Sequence, residues 1–165
     1  MQLRAIEPHD IDLLYTIEND PDLWDVSSVN VPYSRYDLEQ YILSQRHDLY
    51  ADRQLRLVIT ADDGKAVGLI DLFDFSPANS RAEMGIAILK EERGKGYAVG
   101  ALKLLHAYAA SHLHIHQIYA IVPSDNVTCL AMLRSMGYAS ERVLPDWMQT
   151  SSGYIDCIAL FRVLE

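Results

Sequence analysis

Apolar and polar positions follow two different periods along the chain, which predicts a mixture of helices and strands. Near the N-terminus, apolar residues recur at helical spacing over residues 11–17, directly after Asp10, a residue type that favours helix N-caps. Ser34 likewise precedes a helical pattern that continues to about residue 46. The pattern therefore predicts a short strand at residues 4–7 followed by two helices.

The remainder of the chain alternates between strand and helix patterns. The Asp63-Gly64 pair lies between two apolar runs and is a strong signal for a hairpin turn. Gly137 is expected to end the last helix in a left-handed conformation. The predicted elements are strands at 55–59, 67–73 and 81–89, a helix at 98–112, a strand at 117–122, a helix at 127–136 and strands at 139–143 and 154–163. This order predicts an α+β fold with a central strand-helix-strand crossover, and no linker or repeat divides residues 1–165 into more than a single domain.

Composition and charge narrow the class of protein. The chain has 165 residues, of which 50% are hydrophobic and 22% charged, a balance typical of one globular domain. A formal net charge of −9 disfavours nucleic acid as a partner, because phosphate binding needs a basic surface. No apolar stretch approaches the roughly 18 residues that a membrane helix needs, and the first residues contain no apolar signal core. We therefore expect a cytoplasmic protein with neither a nucleic-acid nor a membrane partner.

Cysteine and histidine patterns predict no metal centre. Cys129 and Cys157 have neither metal-ligand spacing nor a disulfide framework, so free thiols are expected. His112, His114 and His116 alternate, but they straddle a predicted helix end and no carboxylate completes a ligand set.

A glycine-containing loop connects the predicted strand at 81–89 to the long helix that follows. It comprises Arg93, Gly94, Lys95, Gly96, Tyr97 and Ala98. The N-terminus of a helix offers unpaired N–H groups and the positive end of the helix dipole, and glycines allow a diphosphate to approach the backbone closely. The loop is neither a P-loop nor a Gly-x-Gly-x-x-Gly fingerprint. An ordinary turn into a helix is the alternative interpretation.

In its context, this loop resembles the acetyl-CoA signature of the GNAT (GCN5-related) N-acetyltransferase superfamily, Arg/Gln-x-x-Gly-x-Gly/Ala. Arg93, Gly96 and Ala98 occupy its three fixed places. A second family motif, an asparagine followed by a short helix that closes on Gly-Phe, is similar to Asn126 with Gly137-Tyr138. Tyrosine in place of phenylalanine is a departure from the family pattern.

The resemblance implies a specific fold and cosubstrate. The fold would have a central, mostly antiparallel mixed sheet of about seven strands with splayed fourth and fifth strands, flanked by about four helices. Acetyl-CoA would bind at the loop from Arg93 to Ala98 and at Asn126, and its pantetheine arm would pair with the backbone of Ile86 and Ile88. The implied activity is acetyl transfer to an amine in a ternary complex, without a metal. A catalytically silent acyl-CoA-binding module is the alternative.

Amine acetylation requires a base, because an aliphatic amine with a pKa near 10 is mostly protonated at neutral pH. Glu83 lies on the strand that would present the acetyl group, where the resemblance implies a base in many relatives. Pairing of Glu83 with Arg81 at a strand edge is the structural alternative. Asp71 and Asp74, on the preceding strand, are other candidates for the base.

The proton donor is less clear from the resemblance. Many family members have a tyrosine four residues before the closing glycine, where this chain has Leu133. Leucine there is less similar to spermidine acetyltransferases and more similar to the group that acetylates ribosomal-protein N-termini. In that group a serine three residues after the asparagine serves as the acid, and Cys129 occupies that place. Cys129 is thus the candidate acid, with packing of an apolar-buried thiol as the alternative.

The acceptor is expected to be a small amine, such as a polyamine, a protein or peptide N-terminus, or an aminoglycoside-like compound, and the sequence does not choose among them. Acidic residues are frequent in the first 25 positions, at Glu7, Asp10, Asp12, Glu18, Asp20, Asp22 and Asp25, and they would attract cations if they surrounded the site. The resemblance places aromatic residues near the acceptor, namely Trp24, Tyr33, Tyr36 and Tyr41. An exposed apolar strand edge would allow a homodimer.

Overall fold

One mixed sheet of seven strands organises the computed structural model, which describes residues 1–24, 31–46 and 48–164. The strands are β1 (Gln2–Ala5), β2 (Leu55–Thr60), β3 (Ala66–Ser76), β4 (Arg81–Ile88), β5 (Gln117–Pro123), β6 (Ser140–Thr150) and β7 (Gly153–Val163). Their order across the sheet is β1-β2-β3-β4-β5-β7-β6. The β4–β5 pair is parallel and every other neighbouring pair is antiparallel.

Within the described residues, four longer helices accompany two single-turn helices. They are α1 (Ile11–Glu18), α2 (Pro21–Trp24), α3 (Arg35–Ser44), α4 (Leu49–Asp52), α5 (Tyr97–Ser111) and α6 (Val127–Ser135). Helix α5 forms the predicted crossover between the parallel strands β4 and β5. Helices α2 and α4 were not predicted, because one turn is too short to show a helical period. No helix in the described part of the chain is both long and apolar enough to cross a bilayer.

Two apolar clusters hold helices on opposite faces of the sheet. On one face, Leu102 and Leu105 of α5 and Leu133 of α6 are fully buried with the inner residues of the strands. On the other face, Leu14 of α1 and Leu38 of α3 pack against the sheet. Each leucine removed from water contributes about 1.5 to 3 kcal/mol to folding. The predicted α+β class and the seven-stranded mixed sheet are confirmed.

The first strand and the start of α1 differ from the sequence prediction. Strand β1 pairs with β2 over Gln2–Ala5, two residues earlier than predicted. The Asp10 side chain does not cap α1. Instead it is buried, receives two hydrogen bonds of 2.7 Å from Arg4 and accepts the N–H of Glu7 at 2.9 Å. A bidentate ion pair satisfies this carboxylate more completely than a helix N-terminus would.

Other local signals are confirmed. The Ser34 hydroxyl accepts the backbone N–H of Asp37 at 3.1 Å and so caps α3. Gly64 lies in the hairpin turn with a φ of 84°, and Gly137 follows α6 with a φ of 85°. Strand β6 is longer than predicted, because a bulge between Leu144 and Met148 interrupts the alternation by which a strand is recognised.

Candidate active site

A gap opens between β4 and β5 because the two strands are joined at one end only. Their pairing covers Arg81, Ala82 and Glu83 of β4, opposite residues 117–119 of β5. Beyond Glu83, β4 continues along β3 as far as Ile88, while β5 continues along β7. The splayed strands implied by the resemblance are therefore present, and the β4 backbone has no strand partner on that side.

Two β4 residues direct backbone polar groups into this gap. Residues of an antiparallel pair alternate between bonding to the partner strand and facing away from it. The Leu89 N–H donates to the Val67 carbonyl of β3 at 3.0 Å, so Leu89 is a residue that bonds to β3. By alternation, the backbone N–H and carbonyl groups of Ile86 and Ile88 face away from β3, towards β5. Their side chains pack on the α5 side of the sheet. Backbone groups and side chains thus have separate roles at the two positions predicted to contact pantetheine.

The loop before α5 has the backbone geometry of an anion-binding site. Gly94 and Gly96 have φ values of 76° and 83°, a region that side chains disfavour. A Cβ atom at either position would have no neighbouring atom within 4 Å, so the space beside the backbone is open. Gly96 precedes the first turn of α5 without a side-chain cap, and the first helical bond runs from the Gly100 N–H to the Gly96 carbonyl at 3.1 Å. Unpaired N–H groups of this turn can therefore receive a diphosphate.

The cationic side chains of the loop are engaged within the protein. Arg93 donates through Nε to the Ile88 carbonyl at 3.0 Å, and its guanidinium lies 3.7 Å from Asp20. Lys95 lies 2.9 Å from the buried carboxylate of Glu92, which also binds Lys65. These contacts hold the loop against the end of β4 and the residue that precedes α2. Both cations of the loop are therefore paired, and the groups left open to an anion are its backbone N–H groups.

Glu83 is a partly buried carboxylate at the point where the strands separate. Its neighbours Ala82 and Met84 are buried in the α5 cluster, so alternation directs Glu83 to the opposite face, where α1 and α3 lie. Burial raises the pKa of Glu83 to about 7, and the negative charge of Asp74 adds to this rise, while the nearby Tyr119 hydroxyl opposes it. A carboxylate with a pKa near 7 is suited to accept a proton at neutral pH.

Tyr119 was not identified from the sequence. It is the β5 register partner of Glu83, and its ring lies 6.1 Å from that of Phe161 on β7. Burial and the nearby Glu83 carboxylate raise the pKa of Tyr119, so its hydroxyl remains a hydrogen-bond donor. Alternation along β5 predicts the face on which Tyr119 lies, but its pairing with Glu83 depends on a register that a single sequence does not show.

The two alternative bases have different environments. Asp71 receives two hydrogen bonds of 2.8 Å from Arg56, whose remaining amino group binds Glu18 at 2.5 Å. Both oxygens of the Asp71 carboxylate are therefore occupied by the Arg56 guanidinium. Asp74 is exposed and lies in a bulge of β3. The geometry therefore favours Glu83 as the base.

The helix α6 positions the second group of candidates. Asn126 caps the helix by accepting the N–H of Cys129 at 3.2 Å. Cys129 packs against the apolar cluster beneath α5 and α6, and burial raises the pKa of its thiol, which keeps it protonated at neutral pH. Leu133 is fully buried. Protonation is compatible with an acid role for Cys129, and the packing is equally compatible with a structural role.

Tyrosine at the closing position of the second motif has a structural partner. The Tyr138 ring is fully buried, and its hydroxyl lies 2.9 Å from Nε2 of His106 on α5. Burial lowers the pKa of His106 to about 4, so the imidazole is neutral at physiological pH. This pair explains why a buried tyrosine is tolerated where the family pattern has phenylalanine.

Most acidic residues near the N-terminus are neutralised by nearby cations. Asp10 binds Arg4, Asp12 binds Arg35, Glu18 binds Arg56, and Asp22 binds Lys90, with separations of 2.5 to 2.8 Å. Asp20 faces Arg93, and Asp25 lies outside the described residues. The predicted acidic surface is therefore largely cancelled by ion pairs, and Asp74 and Glu83 are the acidic residues at the strand separation itself.

Two of the aromatic candidates, Tyr33 and Tyr41, pack against the same apolar cluster of α1 and α3. The Tyr41 ring centroid lies 5.5 Å from the Arg56 guanidinium. Tyr36 is 68% exposed on α3. The Trp24 side chain lies outside the described part of the structure.

An open groove lies away from these residues. It has a volume of about 530 Å³ between β1 and α5, and it is lined by apolar side chains that include Leu57, Leu104 and Tyr108. No residue predicted to act on substrate or to bind CoA lines it. Within residues 1–24, 31–46 and 48–164, no cluster of three or more His, Cys, Asp or Glu side chains is arranged to hold a metal.

Comparison with known proteins places this geometry in a family. Residues 1–139 match the model of the acetyltransferase (GNAT) domain. Spermidine N(1)-acetyltransferase of Escherichia coli K12 is 28% identical over 86% of this chain and 74% of its own length. The putative ribosomal N-acetyltransferase YdaF of Bacillus subtilis is 26% identical over 94% of this chain and 87% of its own length.

The fold is shared with solved structures. Vibrio cholerae spermidine N-acetyltransferase, determined in complex with CoA and spermine, superposes with a TM-score of 0.85 at 23% identity, covering 99% of this chain and 95% of that one. Its strand and helix arrangement is the one described above. The splayed strands, the glycine loop and the family match agree, and the chain belongs to the GNAT acetyltransferase family.

Proposed function

We propose that this acetyltransferase acetylates a cationic aliphatic amine of the polyamine class, with Glu83 as the general base. The observation that carries the proposal is a carboxylate with a pKa raised to about 7 at the separation of β4 and β5. Relatives of this chain are spermidine acetyltransferases, which supports the acceptor class.

Acetyl-CoA would bind along the gap. The N–H groups at the start of α5 would receive the diphosphate, with Gly94 and Gly96 allowing close approach, and Asn126 would border the site through its cap on α6. The backbone of Ile86 and Ile88 would pair with the pantetheine amides. Arg93 would contribute by holding the loop in place through the Ile88 carbonyl.

The ammonium group loses two protons in the reaction, and the departing thiolate gains one. Glu83 accepts the first proton, and the free amine nitrogen attacks the thioester carbonyl. The C–N bond forms, the C–S bond breaks, the positively charged nitrogen releases its second proton to solvent, and the thiolate takes a proton from a donor that solvent then reprotonates. The Cys129 thiol is the proposed donor, since burial keeps it protonated.

A peptide N-terminus is the second candidate acceptor. Leu133 is fully buried where many relatives have a catalytic tyrosine, and a putative ribosomal N-acetyltransferase is among the relatives. An α-amino group has a pKa near 8 and depends less on a base than a polyamine does.

Release of CoA thiol in the presence of an amine panel tests the proposal. The panel contains spermidine, spermine, a peptide with a free N-terminus and the same peptide with an acetylated N-terminus. We expect the highest kcat/KM with a polyamine. Faster reaction of the free peptide would favour the second candidate, and thiol release with no amine above the hydrolysis background would indicate a silent CoA-binding module.

A further inference from the structure

A β-bulge in β3 lies beside Glu83 and contains an exposed carboxylate in a strained backbone. Phe73 is opposite Glu83, and Ser76 is opposite Arg81. Two residues of β3, Asp74 and Phe75, therefore face the single intervening residue of β4. One residue has been inserted into β3 relative to regular pairing.

The inserted residue changes which side chains reach each face. Without it, the residue after Phe73 would point to the α5 face. In the structure, Phe75 takes that place: it is 4% exposed, belongs to the α5 cluster and contacts the ring of Tyr50 at 5.2 Å. Asp74 remains exposed at the surface next to Glu83. The bulge thus places an apolar side chain in the core and leaves a carboxylate at the strand separation.

The backbone of Asp74 is in the left-handed region, with a φ of 48°. Glycine, asparagine and aspartate tolerate this region best, and strained residues of this kind cluster at functional sites. Phe75 fixes the bulge from the other side, because its N–H donates to the Arg53 carbonyl at 3.1 Å and its carbonyl accepts from the Arg53 guanidinium at 3.2 Å. The position of Asp74 is therefore set by the fold.

We propose that Asp74, which the β3 bulge holds beside the register partner of Glu83, is a positioning residue for the base of the reaction. The inference rests on the proposed role of Glu83. Like charges at close range disfavour the charged form of each other, so the Asp74 carboxylate makes Glu83 a stronger base than burial alone would.

Other titratable groups on the neighbouring strands bear on the effect of Asp74. From β5, the Tyr119 hydroxyl opposes the rise in the Glu83 pKa. Arg81 is two residues before Glu83 on β4, and Asp71 on β3 is paired with Arg56. No cation pairs with Asp74 among the residues that the structure describes.

Two substitutions at position 74 separate charge from backbone strain. Asp74→Asn keeps the shape and tolerates the left-handed conformation, whereas Asp74→Gly also relieves the strain. Asp146→Asn is the matched control, because Asp146 has a φ of 49° and also lies in a bulge, that of β6. In the sheet, β5 and β7 separate β6 from β4.

The test measures kcat/KM for spermidine from pH 5 to 9. NMR titration of ¹³C-labelled protein follows the chemical shift of the Glu83 carboxyl carbon over the same range. We expect both Asp74 variants to move the midpoint of the acidic limb and of the Glu83 titration to lower pH by about 0.5 to 1, while Asp146→Asn leaves both in place. Rate at the plateau should fall by about twofold to fivefold because the base is weaker.

Three outcomes would overturn the inference: an unchanged titration in both Asp74 variants, an equal shift in Asp146→Asn, or opposite effects of asparagine and glycine. Glu83→Gln identifies a failure of the underlying function. If Glu83→Gln keeps the wild-type acidic limb, Glu83 is not the base. If Glu83→Gln loses the limb but Asp74→Asn leaves the pH profile unshifted, only the role of Asp74 is contradicted.

Discussion

Glu83 of β4 and Tyr119 of β5 are register partners at the last position where the two parallel strands are joined. On one side of this pair the sheet is continuous, and on the other the β4 backbone is open. A carboxylate at the junction is shielded enough for its pKa to rise to about 7, yet it borders the open gap. The sheet topology therefore brings the proposed base to the place where a thioester would lie.

Substitution of Gly96 tests the diphosphate-binding loop. A glutamate side chain would occupy the open space beside the loop and repel a diphosphate, so Gly96→Glu should weaken CoA binding by at least about tenfold. Binding is measured by calorimetry.

Gly64→Glu is the matched control for this variant. Gly64 has a φ of 84° and the same open surroundings, but it lies in the β2–β3 turn. Both variants should lose about 1 to 2 kcal/mol of stability from the left-handed backbone. Equal CoA affinity in the two folded variants would remove the loop from the binding site.

Cys129 is the proposed proton donor to the departing thiolate. Cys129→Ala should lower kcat by about 10-fold to 100-fold, and Cys129→Ser should recover part of the loss, because a hydroxyl can donate a proton. Steady-state kinetics with spermidine measures both. Cys157→Ala, which removes the other free thiol from a buried position, serves as the control for packing. Full turnover of Cys129→Ala would restrict this cysteine to packing.

The buried His106 should make the protein sensitive to acid. Its pKa is lowered to about 4 in the folded state from an ordinary value of 6.5, so the unfolded chain binds a proton that the folded protein excludes. The contribution of the neutral His106 to the free energy of unfolding is fully present above pH 6.5, and it is lost as the pH falls towards 4. Between pH 7 and pH 5 the loss amounts to about 2 kcal/mol.

His106→Phe should remove this pH-dependent part of the free energy of unfolding. Tyr138→Phe is added in a double variant, because the single substitution would leave the Tyr138 hydroxyl buried without a partner. Urea unfolding at pH 5 and pH 7 measures the difference. A wild-type difference between the two pH values in His106→Phe/Tyr138→Phe would assign acid sensitivity to other groups.

Glu83 should cost stability at the pH where it is active. Its pKa is raised from 4.5 to about 7, so the folded state favours the protonated form. Stability is complete below pH 4.5 and declines as pH rises through 7. Glu83→Gln should therefore be more stable than wild type at pH 8, by about 1 kcal/mol once solvent screening of this partly exposed group is considered.

Thermal unfolding at pH 5 and pH 8 tests this prediction. The gain should be larger at pH 8, and a gain of the same size at both values would show that charge burial is not its cause.

Local signals in the sequence predicted much of the fold. Ser34, Asn126, Gly64 and Gly137 each act at the helix end or turn expected of their residue type. These signals succeed because a cap or a left-handed turn depends on a few neighbouring residues. The long strand β6 was underestimated because its bulge interrupts the alternation of side chains.

The candidate site was predictable only in part. Glu83 and the loop before α5 came from the family resemblance together with the chemistry that each step needs. Tyr119 was not identified, and Asp74 was named only as an alternative base, because their proximity to Glu83 depends on strand register and on a bulge. The ion pairs that neutralise Asp10 and Glu18 are likewise contacts between distant parts of the chain, which residue spacing does not reveal.

The pH dependence of kcat and kcat/KM for spermidine, measured for wild type and Glu83→Gln from pH 6 to 10, tests the central claim most directly. The isosteric variant keeps the side-chain shape but cannot accept the proton, so kcat should fall by about two to four orders of magnitude with little change in acetyl-CoA affinity. The wild-type acidic limb, with a midpoint near the Glu83 pKa of about 7, should disappear. A Glu83→Gln enzyme with the wild-type rate and pH profile would contradict the assignment of Glu83 as the base.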